Sequence, residues 1–304
     1  MTQPDWIAVD WGTSNLRVWA MTDDGRELGH RQSNAGMAGL EPGQFEPELL
    51  ALIGDWLGRA KMPVICCGMA GAKQGWHEAP YRNTPCALLA ADRITHVPTK
   101  DPRLRVYILP GIKQTQPADV MRGEETQLGG LLSLEPDFDG VVCLPGTHTK
   151  WVHISAREII SFATFMTGEL FSLLANNSVL HHAVSADGWD RHAFIEAVNL
   201  SLSSPAKTSA NLFSLRAESL ISGLSAVQAR SRLSGLLIGL ELAGARPYWL
   251  GRRVVVLGRG DLVKAYDHAL TAQGLSPEPQ DGAALSRLGL NAAYQQIVKS
   301  KDRP

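Results

Sequence analysis

Six short segments carry the side chains that could do chemistry. Asp10-Trp11-Gly12-Thr13-Ser14 follows the apolar run 6–9. A turn of small residues points backbone N–H groups outward, the Thr13 and Ser14 hydroxyls add donors, and such a turn can hold phosphate oxygens. An acid just ahead of it, Asp10, can hold Mg²⁺ through water, because Mg²⁺ keeps several waters and favours carboxylate and phosphate ligands. An ordinary hairpin with an Asx-type turn has the same local sequence. Gly146-Thr147-His148-Thr149-Lys150 forms a second such turn. Two Gly-Thr turns, one per half, can grip a polyphosphate from opposite sides of a cleft, a more specific pattern than either turn alone. His148 reads as a hydrogen-bonded structural histidine or as a catalyst.

Four further segments bear polar groups at places where a ligand could meet the backbone. Gly258-Arg259-Gly260-Asp261 follows an apolar strand and opens a helix, so it is a plain strand-to-helix turn or a nucleotide contact; it is not a GxGxxG fingerprint. Arg122-Gly123-Glu124-Glu125-Thr126-Gln127 begins a helix leading to the second half of the chain. Carboxylates in a helix's first turn complement its dipole. If this helix joins the two halves, its start faces the cleft, where Glu124 or Glu125 can accept a proton from an attacking hydroxyl and Arg122 can bind a carboxylate. Gly68 to Tyr81 mixes glycines with Lys73, Gln74, Trp76 and Tyr81, either as a small-ligand loop or as a packed surface loop anchored by its aromatics. Thr167 sits before Gly168-Glu169-Leu170, as a helix N-cap or a donor to substrate.

The elements that must position these residues read clearly from pattern. Residues 6–10, 16–21 and 27–32 form a strand–turn–strand–turn–strand meander, with Asp24-Gly25 as a turn signal. The same order returns at 141–145, 150–154 and 158–162. Laying Gly12-Thr13 over Gly146-Thr147 brings Val18 onto Val152, a weak internal repeat. Residues 64–67, 105–109 and 253–257 read as further strands. Helices are predicted from Phe45 to Leu57, from Asp119 to Ser133 on the spacing of Met121, Leu128, Leu131 and Leu132, and over 168–182, 190–202, 210–225, 228–243, 261–270 and 282–297. This order predicts two α/β domains, 1–136 and 137–304, broken near Pro136 with no Pro/Gly-rich linker.

Composition narrows the function classes. The 304 residues suffice for two domains at roughly 100–200 residues each. Lys plus Arg is 29 and Asp plus Glu is 30, a net charge of −1, which supports neither a basic nucleic-acid face nor a polybasic membrane anchor. Cys66, Cys67, Cys86 and Cys143 form no CxxC pair and read as reduced core thiols. No signal-peptide pattern is visible, and the most apolar stretch, 235–245, is interrupted by Glu241. A cytoplasmic enzyme acting on a small molecule is expected, compatible with a homo-oligomer.

Taken in order, the segments 9–17, 74–81, 120–127, 144–151 and 166–171 resemble the 2-dehydro-3-deoxygalactonokinase family, and the resemblance runs from about residue 6 to residue 295. Ser14 departs from the second threonine common there but keeps the hydroxyl. The resemblance implies the sugar kinase/Hsp70/actin fold, two ribonuclease-H-like domains around an ATP cleft. It implies Mg²⁺- and ATP-dependent phosphorylation of the 6-hydroxyl of 2-dehydro-3-deoxy-D-galactonate in galactonate catabolism, where an aldolase would split the product into pyruvate and glyceraldehyde 3-phosphate. On that basis Asp10 holds Mg²⁺ through water. Gly12, Thr13, Ser14, Gly146, Thr147 and Thr149 bind phosphates, Lys150 steadies the γ-phosphate, and Gly258 and Gly260 meet adenosine. Glu124 or Glu125 is the base. Arg122, then Lys73, then Arg17 are candidates for the substrate carboxylate, and Gln74, Trp76, Tyr81 and Thr167 shape the rest of the pocket. The competing expectations are another sugar acid as substrate, a phosphohydrolase of the same fold, and a non-catalytic nucleotide switch or sugar-acid sensor.

Overall fold

The computed structural model describes residues 3–88 and 93–301, with side chains as far as Ile297. The chain forms two compact units. The first comprises residues 1–138, 155–161 and 282–304, and the second residues 139–154 and 162–281. The first break therefore falls close to the expected residue 136. The expected single crossing at 137 gives way to a return, because the C-terminal helix packs within the first unit.

In the first unit β1 (Trp6–Trp11), β2 (Leu16–Met21) and β3 (Glu27–Ser33) form the expected antiparallel meander. After α1 (Phe45–Ile53), β4 (Met62–Gly68) pairs parallel with β1. Short strands β5 (Tyr81–Asn83), β6 (Cys86–Ala87) and β7 (Thr95–Val97) lead to β8 (Leu104–Ile108), giving the sheet order β3-β2-β1-β4-β8-β7. β9 (Gly111–Thr115) and β10 (Ala118–Met121) join β5 in a three-stranded sheet. α2 (Glu124–Leu134) follows.

Every residue of β1 is buried, because both faces of the strand are covered. Ile7, Val9 and Trp11 pack toward Phe45, Leu49 and Ile53 of α1. Trp6 and Ala8 pack toward Leu290, Ala293, Tyr294 and Ile297 of the C-terminal helix, where the Trp6 and Tyr294 rings stack at 4.4 Å. The period of two puts Asp10 on the same face as Trp6 and Ala8.

The second unit repeats this plan. β11 (Gly140–Leu144), β12 (Thr149–Ser155) and β13 (Glu158–Phe165) form its meander, and β14 (Val254–Gly258) pairs parallel with β11. Its helices are α3 (Thr167–Asn177), α4 (Arg191–Ser203), α5 (Thr208–Ile221), α6 (Ala226–Gly244), the short α7 (Arg246–Trp249) and α8 (Gly260–Thr271). β15 (Glu278–Asp281) pairs parallel with β14, and α9 (Gly282–Lys301) returns to the first unit. The strand order β13-β12-β11-β14-β15 matches β3-β2-β1-β4-β8, so each unit is ribonuclease-H-like and the fold is duplicated.

The ladders refine the repeat. Val18 faces Val9 and Val152 faces Val142, so Val18 and Val152 are equivalent as expected. The second turn is one residue longer, however, so Asp10 opposite Arg17 corresponds to Cys143 opposite Trp151. The acid belongs to the first turn alone.

The helix predicted from Asp119 starts late. Ala118–Met121 is β10, because Gly123 at φ +111° turns the chain before helical hydrogen bonding begins at Glu124. No helix among the described residues is long and apolar enough to cross a membrane.

Candidate active site

The first turn is held by its neighbours and exposes its hydroxyls. Gly12 N donates to Asn15 O at 2.8 Å, while Met37 N and Ala38 N donate to Gly12 O and Thr13 O at 3.0 Å each. The Trp11 indole donates to Ala35 O at 2.9 Å, and a Cβ on Gly36 would lie 2.3 Å from Ser14 Cα. Residues 35–38 therefore brace the turn from behind, leaving Thr13 and Ser14 exposed. Asp10 is buried, and its Oδ2 accepts from Arg17 Nη2 at 2.7 Å. Arg17, expected as a third candidate for the substrate carboxylate, is engaged with Asp10 instead.

The start of α2 closes on the same strand ends. Gly68 has φ +85°, and a Cβ there would lie 2.5 Å from Trp11 O; a Cβ on Gly123 would lie 3.3 Å from Gly68 Cα. Two side chains turn back on the backbone ahead of the helix: Glu124 Oε2 accepts from Arg122 N at 3.0 Å and Glu125 Oε2 from Gly123 N at 2.7 Å. Glu125 is buried. Desolvation, with the Glu124 charge adding to it, pushes its carboxyl up to about 8 against the pull of the Gly123 N–H and Arg122. Cys67, the ladder partner of Asp10, is pushed well above the usual thiol range by burial and then by the charges of Asp10, Cys66 and Glu125. Asp10 and Glu125 thus flank one buried thiol, and the structure separates the two glutamates that the sequence left equivalent.

Arg122 is buried with its guanidinium 4.2 Å from the Tyr81 ring centroid. Its Nη2 donates to Ala79 O at 2.8 Å, while Nε and Nη1 are buried without hydrogen-bond partners. Gly71 makes room for this head group, since a Cβ there would lie 2.7 Å from Nη1. Lys73 and Gln74 are exposed on the preceding loop. Trp76 packs edge-on to Trp11 at 5.9 Å and along Phe45, so it anchors the loop to the core, whereas Tyr81 serves the site as the platform under Arg122.

In the second unit the Gly146-Thr147 turn abuts the start of α3. A Cβ on Gly168 would lie 2.2 Å from Gly146 O, and Glu169 N donates to Thr147 O at 2.9 Å. His148 Nε2 pairs with Glu169 Oε2 at 2.6 Å, which fits its structural reading. Thr147 is exposed, but Thr149 is fully buried and hydrogen-bonded to the Tyr266 hydroxyl at 2.8 Å. Lys150 is buried on β12 opposite Leu144. The N-cap of α3 is Met166, and the Thr167 hydroxyl donates to Glu241 Oε2, so Thr167 neither caps the helix nor points its hydroxyl at solvent.

A cavity of about 410 Å³ opens beside this turn, walled by Gly146 and Thr147, the start of α3, Arg230, Ser231 and Ser234 of α6, Trp189, and Asp261, Leu262 and Ala265 of α8. Gly258 and Gly260 do not line it; the adjoining α8 residues do. Gly258 lies at φ +155° and Gly260 at φ +72°, so both are needed for the chain to turn into α8.

Sequence reasoning missed Glu241, Tyr266 and the α6 wall. The available signal was a lone carboxylate inside an apolar helical run, which demands buried partners.

The 2-keto-3-deoxy-galactonokinase family profile matches residues 10–293. The probable 2-dehydro-3-deoxygalactonokinase DgoK1 of Rhizobium meliloti (strain 1021) is 43% identical over 299 residues, covering 96% of this chain and 97% of its own. The 2-dehydro-3-deoxygalactonokinase of Escherichia coli (strain K12) is 34% identical over 297 residues, covering 96% and 98%. A crystal structure of a Sinorhizobium meliloti protein carrying the same kinase description is 43% identical, covers 96% of each chain and superposes with a TM-score of 0.89. The similarity runs through both turns and nearly to both ends, and the chain belongs to the 2-keto-3-deoxy-galactonokinase family.

Proposed function

We propose that the protein transfers the terminal phosphoryl group of ATP to the 6-hydroxyl of 2-dehydro-3-deoxy-D-galactonate in D-galactonate breakdown. The observation that carries this reading is Arg122, a buried guanidinium with two unpartnered nitrogens, placed two residues before the first residue of α2, whose opening turn bears a high-pKa carboxylate. A buried cation of this kind fits an anionic substrate, and the neighbouring carboxylate fits a hydroxyl that must lose a proton. Near-full-length identity to proteins named for this reaction supports the same conclusion.

Phosphoryl transfer depends on positioning and charge neutralisation more than on covalent help from the protein. In the first unit Gly12, Thr13 and Ser14 offer donors to phosphate oxygens from a braced turn. Asp10 fits an Mg²⁺ held through water, since it is a single carboxylate beside a hydroxyl-bearing turn, the donor set this cation shares with phosphates and water. When bound, Mg²⁺ neutralises charge on the phosphates. Arg17 orients Asp10 through their 2.7 Å contact. Arg122 binds the sugar-acid carboxylate over the Tyr81 ring, with Lys73 and Gln74 as contacts from the loop. Glu125, the buried member of the pair, is the base, and half-buried Glu124 is the weaker candidate.

In the second unit Gly146 and Thr147 hold phosphate and Lys150 steadies charge at the γ-position. Adenosine occupies the 410 Å³ cavity, with Asp261 and Leu262 meeting it where Gly258 and Gly260 were expected. Thr149 and Thr167 support this wall, because their hydroxyls are engaged in the interior.

An ADP-coupled assay against 2-keto-3-deoxy sugar acids that differ at one carbon tests the reading. Preferred turnover of the galacto acid is expected. Preference for the gluco acid overturns the named substrate, and phosphate release to water without sugar phosphorylation overturns the kinase.

A further inference from the structure

One buried carboxylate ties together the three helices that wall the second-unit cavity, and reaches the strand that follows its turn. Glu241, on α6 and 2% exposed, accepts from Trp151 Nε1 of β12 at 2.8 Å, from the Tyr266 hydroxyl of α8 at 2.7 Å, and from the Thr167 hydroxyl at the start of α3. Tyr266 is in turn 2.8 Å from the Thr149 hydroxyl, two residues after the Gly146-Thr147 turn. α3, α6, α8 and the turn each contribute residues to the cavity. The contact between Gly168 and Gly146 passes any shift of α3 directly to the turn.

An apolar side chain of similar size would fill this interior without the desolvation cost of a carboxylate. A satisfied buried polar network has a different use, because its directional bonds admit one arrangement of the elements that supply them. Three donors converge on the two Glu241 oxygens, and each comes from a different element. When Glu241 is ionised the Tyr266 proton points at it, and the Thr149 hydroxyl is left to donate to Tyr266, which fixes the direction of the chain as well as its length.

We propose that Glu241 is a positioning residue for nucleotide binding: through Thr167, Trp151, and Tyr266 with Thr149, it sets the Gly146-Thr147 turn and the α3 start against the α6 and α8 walls of the cavity. The proposal rests on the reading of that cavity as the nucleotide site. Burial pushes the Glu241 carboxyl up to about 7 while its hydrogen-bond donors pull it down.

The test compares wild type, Glu241→Leu and Glu241→Gln by calorimetric titration with ATP and by steady-state kinetics. For Glu241→Leu the expected result is a rise of about tenfold in both Kd and KM for ATP, with KM for the sugar acid within about twofold of wild type. Glu241→Gln, which keeps the volume and one acceptor, should recover affinity to within about threefold. Thr167→Val removes one bond of the network and Tyr266→Phe removes two, those to Glu241 and Thr149, and both leave the carboxylate. They should each weaken ATP binding by about threefold and combine non-additively, which keeps the proposal testable if Glu241→Leu fails to fold. A wild type that binds no ATP overturns the reading of the cavity. A wild type that binds ATP, with variants that bind it equally well or that lose both substrates in parallel, overturns the role of Glu241.

Discussion

At the residue scale, the two glutamates at the start of α2 look interchangeable in sequence, and only burial separates them. Glu125 lies in the interior beside Cys67 with its carboxyl at about 8; Glu124 is half-buried and braces the Arg122 backbone. A base of that strength is well matched to a sugar hydroxyl, but it must first lose its own proton. kcat/KM should therefore rise with pH through an apparent pKa near 8 and level off above it. Glu125→Gln should lower kcat by about 100-fold, or about 2.7 kcal/mol, and remove that limb from the profile. Glu124→Gln should keep it. A profile unchanged in Glu125→Gln, or lost in Glu124→Gln, reverses the assignment. Arg122 makes a separate prediction. Its head group sits in the interior with two donors unused, so substrate-free protein gains little from its charge. Arg122→Met should leave Tm within a few degrees and raise KM for the sugar acid by about 100-fold, because a buried carboxylate would lose its partner.

At the element scale, strands and long helices were legible because their patterns are set by burial on one or two faces. The six meander strands all appear where the alternation and turn residues put them, as do α4, α6 and α8. The short strands of the three-stranded sheet were not legible. β5, β9 and β10 have three to five residues each, and their register comes from partners distant in sequence or across a tight turn. Met121 was drawn into a helix by its spacing to Leu128, although Gly123 at φ +111° interrupts the helix between them. The packing of α2 on α9 was equally hidden, because it depends on missing side chains. A Cβ on Gly289 would lie 1.9 Å from Thr126 O, and one on Gly130 2.1 Å from Leu285 O. Backbone oxygens cannot yield as a side-chain tip can, so the helices would have to separate. Gly289→Ala should destabilise the protein by about 1–3 kcal/mol and lower its Tm. It should also disturb the α2 start that carries Glu125, lowering kcat more than it alters KM for ATP. Wild-type stability in this variant would show that the helices are less tightly apposed.

At the scale of the whole molecule, duplication was legible in the order of strands and turns, whereas the return of α9 to the first unit was not. Sequence order places α9 after the second meander, but the face of β1 bearing Trp6 and Ala8 needs Leu290, Tyr294 and Ile297 to cover it. Each unit also buries a carboxylate that is held well above its ordinary value of 4.5, Glu125 at about 8 in the first and Glu241 at about 7 in the second. A folded-state value above the unfolded one means that the folded protein holds a proton which the unfolded chain has already released. Stability from that proton is complete below about pH 4.5 and drains away as pH rises, through about 7 for Glu241 and about 8 for Glu125. Asp55, Asp101, Glu218 and Glu278 work in the opposite direction. Each is held below its ordinary range first of all by hydrogen bonds to an arginine, so their contribution is lost only as pH falls below the carboxylate range. His153 adds a smaller opposing effect: burial, then Arg252, holds it below 6.5, so it favours the fold as pH rises toward that value. The two buried glutamates span the wider window, and Tm should peak in mildly acidic solution and fall between about pH 5.5 and 8.5. Glu125→Gln and Glu241→Gln should each flatten the fall, since an amide has no proton to release. Scanning calorimetry across that range checks it, and a Tm that rises to pH 8.5 in wild type, or falls equally in both variants, would show that neither glutamate is held protonated by the fold.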